Sequence, residues 1–367
     1  MRILFLSGAN SIHTVRWVNS LVDNGHEVHL VYNSDHISGA NIIDQRVIQH
    51  KLRYKGSLGY YINSIQLMRI FKNICPDVVN AHYASGYGTL SRITKIKPLI
   101  LSVWGSDVYD FPYQSKIKMK IIRKNLLYAN KIASTSFCMG EQVRKLLNTE
   151  SVNIEVTPFG VDLEKFSRKS KEKDDEKLNI GIIKTLNSKY GISFLIHAMK
   201  ILIDNLEIEG RKDLLNKISL YIYGDGSQKQ ELIDLVVNYN LENVIFFKGT
   251  ISNSDVPKAL EEFDIFCVTS ILDSESFGVA VVEAMAMELP VVATDVDGFK
   301  EVVEDGVTGI IVERMKPDVI AEALMKLILD KNLRKEMGKK GRERVLKLYD
   351  WKENVSIMEQ LYSNTII

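Results

Sequence analysis

Short apolar runs alternate with stretches of helical period from the start of the chain. Arg2–Leu6, His26–Tyr32, Asp77–Ala81, Leu99–Val103, Lys131–Thr135 and Ile154–Pro158 read as strands, with helical segments between several of them. A strand–helix–strand order needs crossover connections, which predicts a parallel sheet covered on both faces. After Phe166 the pattern breaks into Ser-Arg-Lys-Ser-Lys-Glu-Lys-Asp-Asp-Glu-Lys, dense in charge and without apolar period, so residues 164–177 read as a linker. The alternation then restarts through Leu178–Ile183, Ile218–Tyr223, Val244–Phe247, Ile265–Val268, Pro290–Ala293 and Gly309–Val312, with helical patterns at Gly191–Asn205 and Ser227–Asn240. The expected fold class is α/β, with doubly wound domains at 1–163 and 178–348 and a last helix over 349–367 that can return to the first domain. Two such sheets facing each other gather strand carboxyl ends and helix N-termini around one crevice, where a site is expected.

Composition narrows the class. A length of 367 residues suits two domains, and 46% hydrophobic with 25% charged residues is a globular balance. Cys75, Cys138 and Cys267 form no CxxC pair, so they predict neither a disulfide framework nor a four-ligand zinc site. Met1–Ser7 reads as a strand running into Gly8 rather than as a signal peptide, and no segment reaches the roughly 18 apolar residues of a membrane span. A cytoplasmic protein is expected, and an exported solute-binding protein is not. Charge is uneven: residues 1–165 carry 20 of the 47 Lys+Arg but only 12 of the 46 Asp+Glu, a basic first half before an acidic second.

The segment from Asp264 to Ala293 carries the most chemistry. A buried strand ends at Thr269, a loop holds Glu275, and a helix opens around Ser276–Val279 and includes Glu283. Free amides at that helix start, around Phe277, Gly278 and Val279, suit a diphosphate, and Gly278 lets a phosphate approach the backbone. Glu283, about two turns deeper, is placed for a diol such as ribose, while Glu275 points past the phosphates.

The run Glu275-Ser-Phe-Gly-Val-Ala-Val-Val-Glu283-Ala-Met-Ala, followed by Leu-Pro-Val-Val-Ala-Thr, resembles the signature of the family 4 retaining glycosyltransferases. Gly25-His-Glu-Val, Pro158-Phe-Gly-Val-Asp, Tyr223-Gly224-Asp-Gly and Glu301-Val-Val followed by Gly306-Val-Thr-Gly extend the resemblance along the chain, and it implies a donor contact at Gly224. It implies a GT-B fold of two Rossmann-like domains and a metal-independent transfer from a nucleoside-diphosphate sugar, UDP by default, to a glycan or lipid-linked glycan. It also implies a positive pair after the first strand of the second domain that grips the donor phosphates, here Lys184 and Lys189. Gly8 stands where the family has a glycine-rich turn, and His13 either contacts substrate or starts a helix. In Val103-Trp104-Gly105-Ser106-Asp107 the family pattern has histidine at the Trp104 position. Trp104 cannot do acid or base work and is left to stack on a sugar, while Asp107 keeps a carboxylate near the acceptor. His82 either lines the acceptor side or is a structural histidine.

Competing readings are weaker. Asp295-Val-Asp297 offers the Asp-x-Asp of a metal-dependent transferase but falls in the loop before Glu301, and Gly8-Ala-Asn-Ser-Ile-His13 lacks two glycines of a dinucleotide fingerprint. A sugar-nucleotide epimerase of related fold stays open. Ser115 to Ala129 reads as a basic amphipathic helix: Lys116, Lys120, Arg123 and Lys124 share one face, and Ile121, Ile122, Leu126 and Ala129 another. It is either a surface helix packed on its own sheet or an attachment to anionic lipid. No nucleic-acid partner is expected.

Overall fold

The computed structural model describes residues 1–39, 42–169 and 177–366; the charge-dense stretch 170–176 of the expected linker lies outside the described residues. The chain divides into two compact units, Met1–Phe159 with the segment from Lys352 onward, and Gly160–Trp351. Each is a parallel sheet with helices, so the α/β alternation of the sequence is realised twice.

Among the described residues the first unit holds seven strands: β1 (Arg2–Leu6), β2 (Glu27–Tyr32), β3 (Ile48–Lys51), β4 (Val78–His82), β5 (Leu99–Val103), β6 (Lys131–Ser134) and β7 (Ile154–Val156). Their order is β3-β2-β1-β4-β5-β6-β7. The inner strands β4 and β5 are buried at every position, because parallel strands covered on both faces need apolar residues on each. The sequence pattern misses β3. Ile-Gln-His-Lys has one apolar residue and lies exposed at the sheet edge, where it pairs only with β2.

The second unit holds β8 (Leu178–Ile183), β9 (Ile218–Tyr223), β10 (Ile245–Gly249), β11 (Ile265–Val268), β12 (Val291–Thr294) and β13 (Gly309–Val312), ordered β10-β9-β8-β11-β12-β13. The long helix Ile192–Ile208 buries Leu195, Met199, Leu202 and Leu206 at helical spacing against this sheet. In both units the winding reverses beside the first strand, between β1 and β4 and between β8 and β11. Loops after those strands diverge there and leave room for a ligand at the carboxyl end.

The helix Trp351–Ile366 contributes to the first unit. Tyr362 is buried and accepts from the Asn80 amide at 2.8 Å, and Glu359 accepts from His26 (2.7 Å) and Asn24 (2.9 Å). The basic helix runs from Lys116 to Tyr128, capped by Ser115, whose hydroxyl accepts from the Lys118 amide at 3.2 Å. Ile122 and Leu126 are buried in the core of their own unit, so the apolar face packs on the protein. Lys116, Lys120 and Lys124 stay exposed, as do Ile117 and Leu127. Arg123 is exposed as well, but its guanidinium is held by the Leu146 carbonyl, to which its Nε donates at 2.6 Å. No helix among the described residues is long and apolar enough to cross a membrane.

Candidate active site

In the second unit the two expected functional residues at the winding reversal meet. Lys184 follows β8, Glu275 lies in the loop after β11, and Lys184 Nζ donates to Glu275 Oε1 at 2.8 Å. Both side chains are largely shielded, 16% and 14% exposed, so the pair is only weakly screened. Lys184 and Lys189 lie on Tyr190, their ammonium groups 4.6 and 4.9 Å from its ring centre. Both ammonium groups thus make a cation–π contact with one ring, while Lys184 is paired with Glu275 as well. Lys189 sits in a short turn, Ser188–Tyr190, tied to the β11 loop where the Ile271 amide donates to its carbonyl at 2.9 Å.

The helix after that loop runs from Val279 to Ala286. It starts later than the sequence suggests because Gly278 is left-handed (φ 77°) and therefore precedes the helix. Glu283 is consequently just over one turn into the helix, not two. Among the described residues, the Gly278 and Val279 amides meet no backbone acceptor, as expected of a helix start. Phe277 is buried and edge-on to Tyr349 at 5.5 Å, which makes it a packing anchor for the turn. A Cβ on Gly298 would lie 2.4 Å from the Glu275 carbonyl oxygen, so the next helix, Asp297–Val302, packs directly beneath the loop.

Arg314, unmarked by the sequence reading, braces the same loop. It donates to Asp295 (2.8 Å), Asp273 (3.0 Å) and the Ile271 carbonyl (3.3 Å). Asp297 pairs with Lys300 at 2.8 Å. Both carboxylates of the Asp-x-Asp therefore face cations of the chain itself. Gly224, expected to contact the donor, also sets the backbone beside Lys184. A Cβ there would lie 1.9 Å from the Lys184 carbonyl oxygen, so the missing side chain makes way for the Lys184 backbone.

In the first unit Gly8 follows β1 and its carbonyl accepts from the Ser11 amide at 3.1 Å, turning the chain into the helix Ile12–Asp23. His13 begins that helix and stacks on Phe159 with ring centres 4.2 Å apart. Burial lowers its ring pKa to about 4, with Arg16 adding to the effect, so the imidazole is neutral at ordinary pH. Trp104 is edge-on to four rings, His82 (4.5 Å), Tyr83 (4.9 Å), Phe159 (5.3 Å) and His13 (5.7 Å), which makes it a packing hub rather than an open platform. His82 is buried against Phe5 and Trp104. Neither ring nitrogen has a partner among the described residues, and burial holds its pKa well below the usual value.

Asp107 is a correction to the sequence reading. Its carboxylate accepts from the amides of Ala84 (2.7 Å), Gly105 (3.0 Å) and Trp104 (3.1 Å), and the residue is buried. Burial pushes its pKa up although those amides favour the charged form. It fixes the loops after β4 and β5 and is not free to act on an acceptor.

A family profile described as glycosyl transferases group 1 matches residues 164–344, and one described as glycosyl transferase 4-like matches residues 2–136. An uncharacterized glycosyltransferase of Methanocaldococcus jannaschii is 27% identical over 365 residues, 97% of this chain and 94% of that protein. The capsular polysaccharide biosynthesis glycosyltransferase CapM of Staphylococcus aureus is 30% identical over 229 residues, 62% of this chain and 54% of its own. Among solved structures, Anabaena HepE in complex with UDP has a TM-score of 0.82 at 17% identity, covering 99% of this chain and 100% of that one. At that identity the likeness speaks for the fold.

Proposed function

Because this chain belongs to the GT-B glycosyltransferases of the family 4-like kind, we propose that it moves a sugar from a nucleoside-diphosphate donor to a glycan or lipid-linked glycan acceptor with retention of configuration. The observation that carries the reading is the Lys184–Glu275 pair beside the helix start at Gly278 and Val279. As the bond from the anomeric carbon to the diphosphate breaks, negative charge grows on the phosphate oxygens, and stabilisation must come from donors already aimed there. Lys184, Lys189 and the two amides supply it, Glu283 takes the ribose diol, and Glu275 positions the donor sugar. The acceptor oxygen bonds to the anomeric carbon on the face the diphosphate leaves, and its proton passes to the departing phosphate. UDP is the favoured nucleotide, supported by the UDP complex of the HepE neighbour, and the CapM relative supports a place in polysaccharide assembly.

No metal takes part, since lysines and a helix terminus supply the positive charge. Mass spectrometry of the products from a panel of UDP-sugars and glycan acceptors, with and without excess EDTA, tests the whole reading. Transfer is expected under both conditions with the α-linkage of the donor kept. Magnesium-reversible loss in EDTA would bring back the Asp-x-Asp mechanism, and return of an epimerised nucleotide-sugar would replace transfer with epimerisation.

The exposed face of the helix Lys116–Tyr128 attaches the enzyme to anionic lipid. Lys116, Lys120 and Lys124 contribute about 1 kcal/mol each near such a surface, weakened by salt. In sedimentation with phosphatidylserine vesicles against phosphatidylcholine vesicles, wild type is expected to favour the former and the triple Lys→Ser variant to lose that preference. Equal sedimentation of the two proteins would leave only a surface helix.

A further inference from the structure

The first unit contains a cavity of about 360 Å³, which shares Gly8, Ser11 and Tyr83 with the loops described above. Its volume falls within the roughly 300–1,000 Å³ of small-molecule sites. It opens at the carboxyl end of the sheet: Asn10 enters from the turn after β1, His36 from the loop after β2, and Tyr83 from the end of β4. Tyr60, Tyr61 and Phe111 add three more aromatic side chains. Among the described residues that line it there is no Asp, Glu, Lys or Arg.

That combination selects a chemistry. Aromatic rings cover the apolar CH faces of a pyranose, and amide, phenol and imidazole groups exchange hydrogen bonds with its hydroxyls. No lining residue offers a phosphate or carboxylate a counter-charge for the water it would shed, which is costly; the Lys118 ammonium stands outside the lining, over the Phe111 ring at 5.0 Å from its centre. Burial raises the phenols of Tyr60 and Tyr83, the latter to about 12, so both remain protonated and able to donate.

The walls are preset. The Tyr60 ring lies against the Gly86 backbone so closely that a Cβ on Gly86 would come within 2.4 Å of it. Tyr60 also meets Tyr87 edge-on at 5.2 Å, and the Tyr87 hydroxyl is held by the Asn33 amide (3.1 Å) and the His36 ring (2.8 Å). Tyr83 adopts a left-handed backbone, φ 71°, which is strained for a residue with a side chain. Such strain persists where its surroundings over-determine it, and here it fixes the direction of a ring in the cavity wall.

We propose that this tyrosine-lined pocket binds the neutral saccharide end of the acceptor. The proposal rests on the transfer reading above and adds the acceptor's chemical class. The test is saturation-transfer NMR titration of the full chain with methyl glucoside, methyl N-acetylglucosaminide, methyl glucuronide and glucose 1-phosphate, alongside UDP calorimetry.

The two neutral glycosides are expected to bind at least tenfold more tightly than the two anionic sugars. Tyr61→Ala, at a half-exposed position, and Gly86→Ala, which displaces the Tyr60 ring, should each weaken the neutral glycosides at least tenfold with UDP affinity unchanged. Equal or tighter binding of the anionic sugars, or neutral binding indifferent to both substitutions, overturns the proposal. Failure of the wild type to bind UDP would instead remove the nucleotide-sugar reading, and the glycoside titrations would still decide the pocket.

Discussion

Lys184→Ala and Glu275→Gln should each lower kcat/KM for transfer by about two orders of magnitude, the loss typical when one preorganised electrostatic group is removed. The two residues are joined at 2.8 Å and largely shielded from water, so each change also leaves the partner charge poorly solvated. Part of the loss could therefore come from stability rather than chemistry, and the double variant separates the two. If the partners only stabilise each other, Lys184→Ala with Glu275→Gln should recover much of the thermal stability lost in each single variant. Transfer should not recover, because the positive charge at the diphosphate and the carboxylate at the sugar are both gone. Steady-state kinetics with calorimetric melting gives both quantities. Near-normal turnover in the Lys184 variant would take that residue out of the site, and recovery of turnover in the double variant would reduce the pair to a structural salt bridge.

The sequence revealed elements more readily than contacts. Twelve of the thirteen strands among the described residues show as apolar runs, the inner ones because parallel strands buried on both faces leave little freedom of composition. The exception, Ile48–Lys51, is an exposed edge and escapes that constraint. Lys184 and Glu275 were each legible from their motifs, but their pairing spans 91 positions and depends on β8 and β11 being neighbours in the sheet.

Asp107 shows the reverse case. Its motif position suggests a carboxylate for chemistry, whereas only the fold shows that three amides converge on it. Arg314 carried no signal because a lone arginine after a strand looks like any surface charge; its partners at 273 and 295 come together only through the loops. The tyrosine-lined pocket was hidden for the same reason, being drawn from loops and helices dispersed between Gly8 and Phe111.

Gly224→Ala should disable transfer through the backbone that carries Lys184. Its backbone, at φ 144°, lies in a region that side-chain-bearing residues rarely enter, and its amide donates to the Gly249 carbonyl at 2.7 Å. An added Cβ would stand 1.9 Å from the Lys184 carbonyl oxygen and 2.9 Å from its carbonyl carbon. These are backbone atoms at the end of β8 and cannot swing aside, so the strand end carrying Lys184 must move. A displacement of about 1 Å in a positioned group can cost on the order of 100-fold in rate, and that is the loss expected here. Gly210→Ala is the control for alanine at an open positive-φ site, because Gly210 has φ 68° and an added Cβ there meets nothing within 4 Å. It should cost only the backbone strain of about 1–2 kcal/mol, lowering the melting temperature by a few degrees while kcat/KM stays at the wild-type level. Comparing the two variants in kinetics below both melting temperatures separates the change at the Lys184 backbone, clash and strain together, from the effect of an alanine at a positive-φ position elsewhere. Wild-type turnover in Gly224→Ala would mean that the Lys184 backbone does not set the geometry of the site.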